Sequence, residues 1–228
     1  MQFNWSWLGK ECLCAVEDQG ECWACWAFVA AEAITAIYYI KSKKLKLLSK
    51  QHVVDCLYSV KPAPDTVRYH ERTGCYTCHY NKYFQFAIEE GVYSDSSYPY
   101  MARRTTCRRL PNEEKTKIKK FKRVKDLGLD KKGIEELIRK QPICGAVDLL
   151  ESFQKHSGKD IYMGHTEEPD IYFPTGGRHA VLIVGFGVEN GVEYYLIKNS
   201  WGVNWGYWGY ARVKRSLVTR LSFPVLDE

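Results

Sequence analysis

The chain has 228 residues and is 45% hydrophobic, which is enough for one large core or two small lobes. Its 17 glycines and 8 prolines follow no period, and no apolar run approaches the roughly 18 residues of a membrane span. The net charge of +6 favours solubility and indicates no nucleic-acid partner. Fibrous and disordered classes are excluded, and we expect neither a membrane span nor nucleic-acid binding.

Helical patterns dominate the first half of the chain. Residues 25–40 (CWAFVAAEAITAIYYI) place apolar side chains at three- and four-residue spacings, which predicts a buried helix. Ser49, an N-cap type of residue, predicts a second helix, and the pattern over 81–90 predicts a third. A fourth is predicted between a cap at Asp130 and Pro142.

Short β-rich runs replace the helical patterns after residue 145. The runs 179–184, 192–198 and 210–214 are separated by glycine-rich turns and predict an antiparallel sheet or barrel. Between the halves, residues 115–125 alternate basic and apolar side chains, which predicts a half-buried strand with a solvated basic face. The chain as a whole reads as an α+β protein.

Cysteine usage points to a reactive thiol. Nine cysteines are an odd number, so at least one cannot pair within the chain. Cys25 stands at the start of the predicted buried helix, where the helix dipole favours a thiolate. Such a position beside a histidine lowers a thiol pKa from about 8.5 to about 3.5–7.5. We therefore predict that Cys25 is a nucleophile.

A base for this thiol is found far along the chain. His179 begins a predicted strand after a glycine-rich segment, and Asn199 ends the next strand. Antiparallel neighbours bring these two side chains together, so that the amide can fix the imidazole ring.

Three segments carry a family resemblance: DQGECWACWAF (18–28), GRHAVLIVGFG (177–187) and IKNSWGVNWGYWGY (197–210). Together they resemble papain-type cysteine peptidases. The resemblance implies a single domain over 1–228, with a mainly helical lobe (about 12–110) packed against an antiparallel β-barrel lobe (about 111–228). The active-site cleft is expected between the lobes.

The resemblance also assigns roles within that cleft. It implies Cys25 as the nucleophile, His179 as the general acid and base, and Asn199 as the residue that orients the imidazole. Gln19 falls in the oxyanion position, where its amide and the Cys25 backbone N–H stabilise a developing negative charge. Trp201 is expected to shield the hydrogen bond between imidazole and amide from water.

Two disulfide bonds follow from the same resemblance. It pairs Cys22 with Cys75 and Cys56 with Cys107, which requires an oxidising compartment. The third bridge of the family has no cysteines here. We expect unpaired, buried thiols at the remaining four positions, which are Cys12, Cys14, Cys78 and Cys144.

Two cysteine motifs also fit other chemistry. Residues 22–25 form a C-x-x-C, and residues 75–79 (CYTCH) match a haem-attachment string or part of a zinc site. Neither has the flanking context that its function needs, and Cys75 is already assigned to a bridge. We therefore expect no cofactor and no metal.

The segment before the nucleophile departs from the family pattern. Trp23 stands where the family has glycine, so that an indole adds bulk to the pocket for the residue before the scissile bond. This substitution predicts a narrowed or filled pocket.

A second departure affects the track along which substrate backbone is expected. Thr77 and Cys78 replace a Gly-Gly pair on the same wall of the cleft. The small side chains of Ala146 and Ala180 are expected to line the neighbouring pocket, opposite His79.

The leading interpretation is a cysteine peptidase that forms an acyl-enzyme at Cys25. The alternative is a catalytically silent module that binds a peptide or protein across a cleft obstructed by Trp23, Thr77 and Cys78; an acyl transferase is a minor third. Expected partners are a peptide or protein substrate and a protein inhibitor or pro-segment, and the chain is expected to be a monomer.

The compartment depends on where the native chain begins. A mature domain implies a vacuolar, lysosomal or extracellular location, and a native start at Met1 implies the cytoplasm with reduced thiols.

Overall fold

The computed structural model describes residues 4–59, 63–164 and 177–226, which form helices followed by one large sheet. The helices are α1 (Cys25–Ser42), α2 (Lys50–Cys56), α3 (Tyr80–Glu89), α4 (Lys131–Lys140) and α5 (Glu151–Gln154). The strands are β1 (Asn4–Ser6), β2 (Lys120–Arg123), β3 (Ile143–Asp148), β4 (Ile161–Tyr162), β5 (Arg178–Glu189), β6 (Val192–Lys198), β7 (Tyr210–Lys214) and β8 (Thr219–Val225).

Capping side chains explain where the predicted helices begin. Ser49 Oγ accepts a hydrogen bond from the His52 N–H at 2.9 Å, and Asp130 Oδ1 accepts one from the Gly133 N–H at 2.8 Å. Helix α3 begins one residue earlier than predicted, because His79 acts as its cap. All four predicted helices are confirmed within two residues at their first residue.

The sheet has the order β2-β8-β3-β5-β6-β7-β4, and β1 pairs with β5. The long strands pair antiparallel as predicted, but the two-residue strand β4 lies parallel to β7. Only residues 120–123 of the basic segment 115–125 form a strand, and a 3-10 turn follows at Val124–Leu127. The prediction of one strand over 115–125 was therefore too long.

Two hydrophobic clusters lie on either side of the sheet region that carries β5. Helices α1, α2 and α3 supply most of the first, and the strands supply most of the second. Helix α1 packs directly against β5, which places the first residue of α1 near the start of β5. The α+β fold is confirmed, whereas the division of the chain near residue 110 stays a prediction.

The two disulfide bonds implied by the resemblance are present. Cys22 is bonded to Cys75, and Cys56 to Cys107. Cys22 and Cys75 are therefore committed to each other and cannot form a dithiol with Cys25 or a haem attachment. Among the described residues, no helix combines the length and the apolar character that crossing a membrane requires.

Candidate active site

A cleft cavity of about 540 Å³ brings together residues from both halves of the chain. Cys25 is half-buried at the first residue of α1, and His179 is the second residue of β5. Both line the cavity, as do Gln19, Trp23, Thr77, Cys78 and Trp201.

The imidazole of His179 is fixed by the amide of Asn199. His179 Nε2 lies 2.6 Å from Asn199 Oδ1, and the Ser200 backbone N–H donates to the same oxygen at 2.8 Å. Because a backbone N–H needs an acceptor, this second bond fixes the amide orientation. His179 Nε2 is then the protonated nitrogen, and Nδ1 keeps the lone pair that a base requires.

Aromatic rings enclose this pair. The rings of His179 and Trp201 lie 4.1 Å apart between centroids, and both also contact Phe153. His179 and Asn199 are 2% and 4% exposed, so water reaches neither end of their hydrogen bond freely. The Trp201 ring therefore lies against the His179 ring, and its shielding role stays a prediction.

Burial controls the protonation of the two proposed reacting groups. It lowers the pKa of His179 to about 4, and the hydrogen bond to Asn199 opposes this shift. It also raises the pKa of Cys25, against smaller effects of backbone hydrogen bonds at Ala180, Trp26 and Cys25 itself. The direction of this shift is opposite to the predicted lowering, because desolvation outweighs the backbone hydrogen bonds to the thiol.

Gln19 is held at both ends of its amide. Its Nε2 donates to the Cys22 carbonyl at 2.8 Å, and its Oε1 accepts from Ser200 Oγ at 2.7 Å. The Gln19 backbone N–H also donates to the Ser200 carbonyl at 2.8 Å. The segment before α1 is thereby tied to the segment that follows Asn199.

Trp23 lines the cleft cavity. Its ring meets the ring of His70 edge-on, with centroids 5.1 Å apart. His70 also lines the cavity, so the two rings together form one bulky wall. The narrowing effect of Trp23 on the pocket stays a prediction.

Thr77 and Cys78 lie in the same wall of the cleft. Cys78 Sγ is 3.7 Å from the Tyr58 hydroxyl, and burial raises the pKa of the Cys78 thiol to about 11. Ala146 and Ala180 pair across β3 and β5, but both are buried and neither lines the cleft cavity. Their role as pocket walls stays a prediction.

Sequence reasoning missed three residues that shape this site. Ser200 bonds Gln19, Phe153 packs on His179, and His70 packs on Trp23. Ser200 was detectable as the polar neighbour of Asn199. Phe153 and His70 lie on segments with no motif, so nothing in the sequence alone marked them.

A buried imidazole oriented by an amide, in the same cleft as a thiol at a helix N-terminus, is typical of thiol hydrolases. The family model of papain family cysteine proteases matches residues 1–221 of the chain. The chain belongs to this family.

Known proteins with similar sequences and structures are cysteine proteases. Cysteine proteinase COT44 from Brassica napus is 32% identical over 216 residues, which cover 94% of this chain and 60% of that protein. A crystal structure of the ragweed pollen allergen Amb a 11 cysteine protease, in its proform, gives a TM-score of 0.79 at 28% identity over 98% of this chain and 65% of that one.

The bromelain protease from Ananas comosus in complex with the E64 inhibitor gives a TM-score of 0.75 at 29% identity. The match covers 98% of this chain and 99% of that one. The chain spans between 55% and 61% of the length of three curated relatives that it matches.

Proposed function

We propose that the protein is a cysteine peptidase that hydrolyses peptide bonds through an acyl-enzyme at Cys25. The single observation that carries this proposal is the arrangement of His179, whose Nε2–H is fixed on Asn199 in the same cleft as the Cys25 thiol. An imidazole held in this tautomer turns its basic Nδ1 away from the amide. Membership of a family of proteases supports the same activity.

The first half of the reaction transfers the acyl group to the enzyme. His179 Nδ1 takes the Cys25 proton as the sulfur attacks the scissile carbonyl carbon, whose oxygen becomes negative. The Gln19 side-chain amide and the Cys25 backbone N–H donate to this oxygen. The imidazolium then protonates the leaving amine, the C–N bond breaks, and a thioester remains.

The second half restores the thiol. His179 removes a proton from water, the hydroxide attacks the thioester carbonyl, and the carboxylic acid leaves as the sulfur regains its proton. No cofactor or metal takes part in either half. Asn199 keeps the ring in one tautomer throughout, and Trp201 covers their hydrogen bond.

Substrate and partners belong to the same proposal. We propose a peptide or protein substrate whose chain runs past Trp23, Thr77 and Cys78, with the Trp23 wall disfavouring bulky residues directly before the scissile bond. The structures of relatives in a proform and in complex with an inhibitor support binding of a pro-segment or inhibitor in this cleft.

The test is digestion of a diverse peptide mixture under mildly reducing, slightly acidic conditions, read by mass spectrometry. We expect cleavage by the wild-type chain and none by Cys25→Ala. Cys14→Ser, which changes a free thiol that does not line the cleft, is the matched control and retains cleavage. Absence of cleavage by a folded wild-type chain with reduced Cys25 would overturn the proposal in favour of a binding module.

A further inference from the structure

A second cavity, of about 710 Å³, has a basic wall. Its polar lining includes His79, Arg123, Lys125 and Arg220, and its apolar lining comes from α4 and the segments beside it. No carboxylate belongs to the described wall of this space. We call it the basic cavity.

The basic cavity adjoins the cleft at two points. Cys78 lines the cleft, and the next residue, His79, lines the basic cavity. On the opposite side, Arg178 lines the cleft and donates a hydrogen bond to Thr219, the neighbour of Arg220. The two cavities are therefore adjacent at residues 78–79 and again where Arg178 meets Thr219.

The backbone of β8 departs from regular geometry at Arg220. Ala146 pairs with Thr219 and Cys144 with Ser222, so one residue of β3 faces two residues of β8 in a bulge. Arg220 has a φ of 58°, in the left-handed region that is costly for a side chain of this size, and its carbonyl accepts a hydrogen bond from the Tyr80 hydroxyl. Arg220, at this bulge, lines the basic cavity.

Two of the three cationic side chains that line this cavity have no carboxylate partner among the described residues. Arg123 forms an ion pair with Asp126 at 2.5 Å, but no such pair includes Arg220 or Lys125. Burial and the charge of Arg220 lower the pKa of His79 to about 4, so its ring is neutral at pH 7.

The tautomer of His79 adds a further donor. Its Nδ1 accepts a hydrogen bond from the Asn81 N–H at 3.1 Å, so the ring proton is on Nε2. Asn81 lines the same cavity, and its side-chain oxygen is buried without a partner among the described residues; the flipped amide would place its NH₂ group at that position. These donors and the Arg220 guanidinium suit a carboxylate.

We propose that the basic cavity binds an acidic side chain, Asp or Glu, of the substrate, and that Arg220 is the residue that selects it. We place the acidic residue before the scissile bond, because Cys78, whose neighbour His79 lines the basic cavity, lies in the cleft wall with Trp23 and Thr77. This inference rests on the proposed peptidase function and names the substrate class of the same site.

The test uses peptides that differ only in Asp, Asn or Lys, placed in turn at each of three positions on either side of the cut. We expect the wild-type chain to favour Asp over Asn by about tenfold in kcat/KM at one position before the scissile bond. This ratio falls as ionic strength rises from about 0.05 M to about 0.5 M, because Arg123, Lys125 and Arg220 are exposed to solvent.

Three variants test whether Arg220 is responsible for the preference for Asp over Asn. Arg220→Gln reduces the ratio of Asp to Asn to below about threefold, and Arg220→Glu shifts the preference to Lys. Arg109→Gln, which changes an exposed arginine that lines neither cavity, keeps the wild-type ratio. Equal thermal unfolding midpoints for the variants establish that each is folded.

Failure of the inference is distinguishable from failure of the proposed function. Equal kcat/KM for Asp and Asn at every position overturns the inference and leaves a peptidase. An Asp preference that persists in both Arg220 variants, or one found only after the scissile bond, also overturns it. If no peptide is cleaved, the affinities of the Asp and Asn peptides for the Cys25→Ala chain are compared. Tighter binding of the Asp peptide that is lost on changing Arg220 supports the inference. Equal binding of the two peptides overturns it.

Discussion

Ser200 Oγ donates a hydrogen bond to Gln19 Oε1 across 2.7 Å, which joins the segment before α1 to the segment after β6. The Gln19 Nε2 donates in turn to the Cys22 carbonyl at 2.8 Å, and one N–H of the same amide remains for a substrate oxygen. The hydroxyl of Ser200 therefore positions the proposed oxyanion donor beside Cys25.

Ser200→Ala tests this positioning. We expect kcat to fall about tenfold with little change in KM, because the amide loses one of its two fixed contacts. Gln19→Ala is expected to cost about 10²-fold, and the double variant no more than Gln19→Ala alone, since Ser200 acts only through the amide. Ser216→Ala, at an exposed serine, is the control. Additive losses would contradict the relationship.

The hydrogen bond from His179 to Asn199 predicts the acid limb of the pH profile. His179 acts as a base only when neutral, and its pKa is about 4, so kcat/KM is expected to fall as the pH drops below about 4. The bond to Asn199 raises this pKa, so Asn199→Ala is expected to move the limb to lower pH.

The same variant separates protonation from orientation. Loss of the amide frees the ring to turn, so the plateau of kcat/KM is expected to fall on the order of 10²-fold even where His179 is fully neutral. The measurement is kcat/KM of one peptide from pH 3 to pH 8, with Asn204→Ala as the control. An acid limb that moves to higher pH in Asn199→Ala, or an unchanged plateau of kcat/KM, would be inconsistent with this account.

Trp23→Gly is expected to widen the choice of residue before the scissile bond. Removal of the indole leaves His70 as the remaining ring of that wall. We expect kcat/KM for peptides with Phe or Leu at this position to rise about tenfold, which cut-site profiles of a peptide mixture measure. Trp208→Gly removes an indole that is 67% exposed and is expected to leave the profile unchanged. An identical profile for both variants would show that Trp23 does not limit the pocket.

Local signals made the elements around the cleft predictable. The apolar spacing of α1 and the caps at Ser49 and Asp130 act within one or two turns, so the sequence displays them directly. His179 and Asn199 were also recognisable, because His179 stands near the start of the apolar strand β5 and Asn199 directly follows β6.

Features set by tertiary contacts were not predictable from the sequence. Burial of the Cys25 thiol depends on packing of α1 against β5, and its effect on the pKa opposes that of the helix terminus. The basic cavity collects side chains from residues 79 to 222, which no window of sequence places together. The parallel pairing of β4 likewise rests on two residues without a strand pattern.

A buried ion pair between Lys198 and Glu32 joins the last residue of β6 to α1. The Lys198 ammonium also donates to the carbonyls of Cys14 at 2.8 Å and Ala15 at 3.1 Å. Lys198→Met leaves the Glu32 carboxylate buried without its partner, and we expect a loss of about 3–5 kcal/mol in the free energy of unfolding.

The pH dependence of this loss gives a sharper test. Burial raises the pKa of Glu32 and Lys198 lowers it, so the lysine-free variant holds Glu32 at a still higher pKa. When the pKa of a carboxyl group is higher in the folded than in the unfolded state, the group destabilises the protein at pH values above its unfolded-state pKa, which is about 4.3. Urea unfolding of Lys198→Met should therefore show a smaller loss at pH 5 than at pH 8, and Lys198→Met with Glu32→Leu should recover part of it. A loss that is independent of pH, or a double variant less stable than the single, would contradict the role of the pair.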